Sequence, residues 1–335
     1  MATVRDVAKL AGVSPITVSR VINNSGYISE ETRRRVDEAI RQLGYVPNTL
    51  ARSLRLSQTN TLALVLTDIT NPFWTTVARG VEDAASDAGF NVILCNTDES
   101  EVEQDKYLKV LLQKRVDGVL LVPVRCTRET VQVIQSQKVP LVVLDRHIPG
   151  VEVDSVRCDS EGGANTLVRL LISKGHRRIA MLSGPQGVSS ADDRVAGYQR
   201  AMAEAGLDHQ NGSIFYGEFT QQSGYAMMQQ ALAAAPRLSA VFAGNNFITI
   251  GAFKAVRDAG LKVPENIALV GFDDLPVALV IDPFFTVASQ PAYEMGKQAT
   301  ELLLARIAGQ APPQYQEIVL PTEIIVRRSS GAPLI

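Results

Sequence analysis

Two sets of residues in this 335-residue chain have the types and spacing to do chemistry. The first lies near the start: Ser14-Pro15-Ile16-Thr17, then Ser19, Arg20 and Asn23. At helical spacing Ile16, Ser19 and Arg20 share one face, while Val18, Val21 and Ile22 share the other. An arginine so placed can donate a bidentate pair to the O6/N7 acceptors of guanine, and an isoleucine can meet a thymine methyl. Pro15 has no backbone N–H to donate. The second set follows short apolar runs along the rest of the chain. It comprises Asp68 and Asn71-Pro72-Phe73-Trp74, then Asp145-Arg146, Arg194, Glu218-Phe219, Asn245-Asn246, Asp273-Asp274 and Gln290. Carboxylate, amide and guanidinium groups are planar and bidentate, which suits adjacent hydroxyls of a sugar. Aromatic rings such as Phe73 and Trp74 can pack on its apolar C–H face.

Short helices must position the first set. Thr3 with Asp6 three residues on reads as a capping box, and Val4, Val7, Ala8 and Ala11 fall on one face behind it. Gly12 is placed to end that helix, because glycine enters a left-handed turn without steric cost. Ser14 then caps a second helix with Pro15 in its first turn. Ser29 with Glu30 and Glu31 opens a third, whose apolar positions are Val36, Ala39, Ile40 and Leu43, and Gly44 and Pro47 close it. A short helix with a polar face across a glycine turn is the geometry of helix-turn-helix DNA readers. Residues 1–58 hold nine Lys/Arg against five acids, so a +4 head sits on a 277-residue remainder of −6 within a net charge of −2. That asymmetry fits phosphate contact by the head.

The second set needs strands. Apolar runs at 62–66, 92–94, 118–122, 141–144, 179–182, 214–216, 240–242 and 267–270 alternate with amphipathic segments, the first from about 73 to 88. Apolar strands separated by helices predict parallel sheets covered on both faces, and two such sets predict two doubly wound lobes. Ligands of such sheets bind beyond the carboxyl ends of the strands, where the second set falls.

The same sequence weakens other readings. No Gly-x-Gly, Gly-x4-Gly-Lys or Gly-x-Ser-x-Gly occurs, so the fingerprints of dinucleotide binding, phosphate loops and nucleophile turns are missing and no enzyme is expected. Cys95, Cys126 and Cys158 lie about thirty residues apart, which suits neither a metal site nor a disulfide framework. His147, His176 and His209 show no ligand spacing, so neither metal nor cofactor is expected. The N-terminus has capping residues and charges where a signal peptide needs an apolar run, and no stretch approaches a membrane span, so a cytoplasmic address is expected.

Val7-Ala8, Ala11-Gly12-Val13-Ser14, Thr17-Val18-Ser19-Arg20-Val21 and Asn23 together resemble the headpiece signature of the LacI/GalR family of bacterial transcription regulators. Tyr45-Val46-Pro47-Asn48 and Ala51-Arg52-Ser53-Leu54 extend the likeness, and the body resembles periplasmic sugar-binding proteins, especially the ribose-binding branch. The resemblance implies an α/β chain with three parts. Residues 1–46 would form a three-helix headpiece and 47–59 a hinge helix and linker. Residues 60–335 would form a two-lobed body, with lobe 1 at about 60–160 and 290–318 and lobe 2 at about 161–289 and 319–335. In that architecture the helix near 292–308 returns to the first lobe and a last strand near 323–327 joins the second.

Carried over by motif, the implied DNA contacts are Thr3, Ser14, Pro15, Ile16, Thr17, Ser19, Arg20, Asn23, Tyr45, Asn48, Ala51, Leu54 and Arg55. The segment from Asn48 to Arg55 would fold when two subunits meet on DNA, with Leu54 wedged into the minor groove. The implied effector contacts are Asn71, Phe73, Trp74, Asp145, Arg146, Arg194, Phe219, Asn245, Asp273 and Gln290. Two positions depart from the pattern: Trp74 is bulkier than the phenylalanine of ribose binders, and Asn246 stands where the family usually has aspartate. Arg146 and Arg194 balance Asp145 and Asp273, which disfavours a sugar phosphate of roughly −2 charge and points to a neutral sugar or polyol. The partners implied are operator DNA, that sugar and a second copy of the chain. Residues after Arg327 carry no heptad of the kind some relatives use to tetramerise, so a dimer is expected.

Overall fold

The computed structural model describes residues 2–46, 58–124, 128–207, 213–234, 237–275 and 282–331. Two compact units divide the chain, 1–59 and 60–335.

In the first unit α1 (Val4–Ala11), α2 (Pro15–Ile22) and α3 (Glu30–Leu43) form where the capping signals put them. The Thr3 hydroxyl accepts from the Asp6 N–H at 3.4 Å and the Asp6 carboxylate accepts from the Thr3 N–H at 2.8 Å, closing the capping box. Gly12 ends α1 with φ +64°, and Arg35 from α3 donates to the carbonyls of Ala11 and Gly12. A Cβ at position 12 would meet that guanidinium at 2.7 Å, a contact the arginine could yield, so it is the positive φ that favours glycine here. Val7, Ala8, Ala11, Val18, Val21, Val36 and Ala39 make the small core. Leu43, expected in it, is 37% exposed. The left-handed Gly44 returns the Tyr45 N–H to the Ile40 carbonyl at 3.0 Å, so Tyr45 packs on the core and Leu43 points away from it.

In the second unit the chain lays down β1 (Thr61–Leu66), β2 (Asn91–Asn96), β3 (Gly118–Leu121), β4 (Leu141–Leu144) and β5 (Asp154–Cys158). Helices α4 (Pro72–Asp87), α5 (Glu101–Gln113) and α6 (Arg128–Ser136) connect the first four. It then crosses through α7 (Ser160–Ser173) to a second sheet of β6 (Ile179–Ser183), β7 (Ile214–Tyr216), β8 (Ala240–Ala243), β9 (Ala268–Phe272) and β10 (Thr286–Ser289). There α8 (Ser189–Glu204), α9 (Gln221–Ala233) and α10 (Asn246–Asp258) alternate with the strands. A second crossing leads to α11 (Ala292–Ile307), which packs on α4, and to β11 (Glu317–Leu320) on the first sheet. A third leads to β12 (Glu323–Ile325), antiparallel to β10 in the second. The sheet orders are β11-β5-β4-β3-β1-β2 and β12-β10-β9-β8-β6-β7, every other pairing parallel.

Central strands are buried on both faces, as parallel sheets require. Where α11 returns to α4, Gly80 and Gly296 let backbones touch: a Cβ on either would meet a carbonyl oxygen of the other helix at 2.1 Å. Besides β12, which the resemblance alone implied, three strands lie outside the apolar runs: β5, β10 and β11. Each is broken by polar residues (Asp154, Ser155 and Arg157; Thr286 and Ser289; Glu317), which hid them from a search for continuous apolar segments.

Candidate functional site

The carboxyl ends of both sheets face one cleft, and all ten residues implied as effector contacts line it. Its volume is about 630 Å3. From the first lobe, the Asn71 side chain caps α4 by accepting from the Phe73 N–H at 3.0 Å, which places Phe73 and Trp74 at the start of that helix. Their rings meet edge to face, centroids 4.7 Å apart. From the second lobe come Arg194 on α8, Asn245 as cap of α10, and Asp273 just after β9. Phe219 lies against the backbone of Gly184, where a Cβ would meet its ring at 2.3 Å.

Four carboxylate residues on this cleft have left-handed backbone: Asp98 (φ +50°), Glu99 (+56°), Asp145 (+61°) and Asp273 (+65°). Non-glycine residues take that conformation at a cost, and such strain gathers at ligand sites. Asp98 and Glu99, with Thr67, Ser190 and Thr220, are lining residues that the sequence reading missed. Asp98 and Glu99 sit just past the Val92-Ile93-Leu94 run, so following β2 to its end at Asn96 would have delivered them.

Glu99 changes the role of Arg146. The Arg146 guanidinium donates to both Glu99 carboxylate oxygens, at 2.5 and 2.8 Å, and to the carbonyls of Pro123 at 2.9 Å and Val124 at 3.4 Å. The protein itself thus engages this fork. Arg194 is held differently: Nη1 donates to the Gly244 carbonyl at 2.8 Å and the guanidinium stacks 4.0 Å from the Phe272 ring centroid, while Nε has no partner. Gln290 donates to Asp273 at 2.6 Å and leaves its own Oε1 without a partner. Asp145 is buried, with 8% of the residue exposed. Burial pushes the Asp273 carboxyl up to about 6; Arg194 and Gln290 oppose that shift, and Asp145 adds to it. Buried polar groups left open in this way need partners that a ligand can supply. The charge balance also differs from the sequence reading. Glu99 takes up Arg146, and Asp68, Asp98 and Glu218 add three further carboxylates to the lining.

Asn71 and Asn246 join the lobes. Each side-chain amide donates to the oxygen of the other, at 3.0 and 2.9 Å, between residues 5% and 2% exposed. Their orientations are fixed, because Asn71 Oδ1 also accepts from the Phe73 N–H and Asn246 Oδ1 from the Phe247 N–H at 2.7 Å. Ser189 Oγ accepts from the His147 N–H at 2.9 Å as a second link between lobes. Asp274 turns away from the cleft and pairs with Arg327 at 2.6 and 2.7 Å.

On the first unit Ile16 is 68% exposed, and Arg20 and Pro15 are exposed beside it. Ser14 caps α2 and bonds the Thr17 hydroxyl at 2.9 Å. Asn23 folds back on Ser19, with its amide donating to the Ser19 carbonyl at 2.7 Å and hydroxyl at 3.2 Å. Thr3 is occupied by its capping box, and Tyr45 packs against the core. Asn48, Ala51, Leu54 and Arg55 lie outside the described residues, as do Cys126 and His209. Cys95 and Cys158 are buried thiols, both pushed up by desolvation. Among the described residues no His/Cys/Asp/Glu group is arranged to hold a metal, and no helix is long and apolar enough to cross a membrane.

Comparison with known proteins bears on both units. Residues 3–48 match the family model "Bacterial regulatory proteins, lacI family". Residues 59–323 match "Periplasmic binding proteins and sugar binding domain of LacI family". The ribose operon repressor of Escherichia coli K12 is 39% identical over 99% of this chain and 100% of its own. A solved complex of the transcriptional regulator CelR with cellobiose is 36% identical, covers 98% of this chain and 100% of that one, and superposes with TM-score 0.74. The lac repressor dimer bound to operator is 27% identical over 98% and 99% of the two chains, with TM-score 0.86. An exposed arginine on a capped second helix and a two-lobed cleft of open polar groups thus occur together in a chain that belongs to the lacI family of bacterial regulatory proteins.

Proposed function

We propose that this protein is a cytoplasmic, homodimeric repressor of a carbohydrate-utilisation operon, released from a palindromic operator when a neutral sugar binds between its lobes. The observation that carries the effector reading is the set of open groups in the cleft: Arg194 Nε and Gln290 Oε1 without partners, and the buried Asp145 carboxylate. Sugar hydroxyls both donate and accept, so they can satisfy all of these at once. The ribose and cellobiose named for the relatives favour the same class. The sign of control is induction, in which sugar favours a state that pairs poorly with DNA; a corepressed regulator is the second reading. Titrating operator affinity against sugar decides between them, and tighter DNA binding with added sugar overturns induction.

Arg20 is proposed to read one guanine in each half-site, with Ile16 against a thymine methyl and the remaining headpiece contacts positioning the helix. Arg20→Ala is expected to cost about 1–3 kcal/mol on operator and to relax specificity at one base pair. Equal weakening on operator and random DNA would assign Arg20 to phosphate instead.

Effector binding is expected to be proton-linked. Unfolded, Asp273 titrates near the ordinary 3.8 of an aspartate; folded, it is pushed up to about 6, so its burial subtracts from stability as pH rises between the two. Hydroxyl donors favour the carboxylate, so the sugar expels a proton where Asp273 is protonated. Affinity should hold above about pH 7 and fall below about pH 6, by at most ~10-fold per unit for one coupled proton. Calorimetry in two buffers of different ionisation enthalpy reads the released proton. A flat profile in the Asp273→Asn variant, against a sloping one in the parent, assigns it.

A further inference from the structure

Resting on that sugar reading, we propose that the effector has two rings, with an inner ring on the buried groups and an outer ring against a rim of carboxylates. The cavity of about 630 Å3 has the liquid volume of roughly twenty waters at ~30 Å3 each. A pentose has about ten non-hydrogen atoms, packed by covalent bonds more densely than waters are, so it fills well under half of that space. The buried polar residues at the base of the cleft include Thr67, Asp145, Arg194, Asp273 and Gln290, exposed by 1, 8, 3, 6 and 7%, a set of the size that one ring engages.

Outside them lies a second, independent set of acceptors drawn from both lobes. Asp68 and Asp98 follow β1 and β2, while Glu218 follows β7. The Asp68 Oδ1 accepts from the N–H and hydroxyl of Thr70 at 2.8 and 2.6 Å, and the Asp98 Oδ1 from the Asn96 amide at 2.6 Å. Asn96 in turn accepts from the Ile69 N–H at 2.8 Å, which ties the two loops together. These bonds orient the carboxylates and use one oxygen of each, and the other oxygen remains to accept from a ligand. Arg146 is engaged by Glu99, so among the described residues this rim presents acceptors with no cation to balance them. Among the described residues the rim is acidic, which suits the hydroxyls of an uncharged second ring better than a uronic acid or a phosphate.

Calorimetry on the full chain tests this with cellobiose, maltose, lactose and sucrose against glucose, galactose, fructose and ribose. At least one disaccharide is expected to bind ~10-fold tighter than its constituent monosaccharides and than ribose, the gain of one or two added hydrogen bonds. In the double variant Asp98→Asn, Glu218→Gln that ratio is expected to fall toward one. Asparagine tolerates the left-handed backbone at 98, which keeps the loop intact. A monosaccharide that binds as tightly as every disaccharide overturns the two-ring assignment, and so does a ratio unchanged in the double variant. If no sugar of either size binds, the sugar reading itself is overturned, and the proposal falls with it.

Discussion

Glu99→Ala is expected to lower the stability of the body by about 3 kcal/mol, the low end of the range for stranding one partner of a buried ion pair. The Arg146 side chain is 4% exposed and that of Glu99 27%, so removing the carboxylate leaves a largely buried guanidinium without its counter-charge. The carbonyls of Pro123 and Val124 still accept from it, which holds the loss at that lower end. Denaturant unfolding of the parent and variant measures the difference. A second substitution, Arg146→Met, should return most of it, because an apolar residue of similar volume carries no stranded charge. A loss of under about 0.5 kcal/mol in Glu99→Ala would show an exposed pair of little consequence, the usual result at a protein surface.

Asn246→Asp is expected to weaken effector binding by about 10-fold, equivalent to about 1.4 kcal/mol. The reciprocal amide pair with Asn71 needs a donor on each side. Aspartate can accept from the Asn71 amide, but its second oxygen then faces Asn71 Oδ1 where an N–H had been. Asn71 cannot turn over to relieve this, since Oδ1 also accepts from the Phe73 N–H. The substitution therefore opposes the apposition of the lobes, and a ligand held by both lobes must offset the difference. Asn246→Ser, which removes the amide without adding charge, should fall between the two. Sugar affinities by calorimetry rank the three proteins, and unchanged affinity in Asn246→Asp would release the pair from any part in closure.

How much of this was legible in the sequence depends on the kind of signal. Ser14-Pro15, Gly12 and the Thr3–Asp6 box act through bonds within a few residues, so the headpiece could be read directly. Apolar runs gave the central strands, and the residues after them gave the lining of the cleft. The crossings could not be read locally, because α11 carries the same pattern whichever lobe it covers; only the resemblance implied them. Arg146 shows the same limit at one side chain. Its type and place after β4 make it a natural ligand contact, and the carboxylate that engages it lies 47 residues away in sequence. Leu43 was misplaced for a local reason, since the turn at Gly44 exchanges it for Tyr45.

The left-handed backbone at Asp98, Glu99, Asp145 and Asp273 also limits how the protein can change its ligand over evolutionary time. β-Branched side chains are disfavoured at these positions by the backbone, while aspartate, asparagine and glycine tolerate it most readily. Divergence toward a new sugar is thereby channelled: at these four sites it proceeds chiefly by exchanging a carboxylate for an amide or by deleting the side chain. Larger remodelling is left to the aromatic wall of Phe73, Trp74 and Phe219, none of which has left-handed backbone. Paralogues descended from this chain should therefore vary in ring size at the aromatic wall and in hydroxyl pattern at the carboxylates.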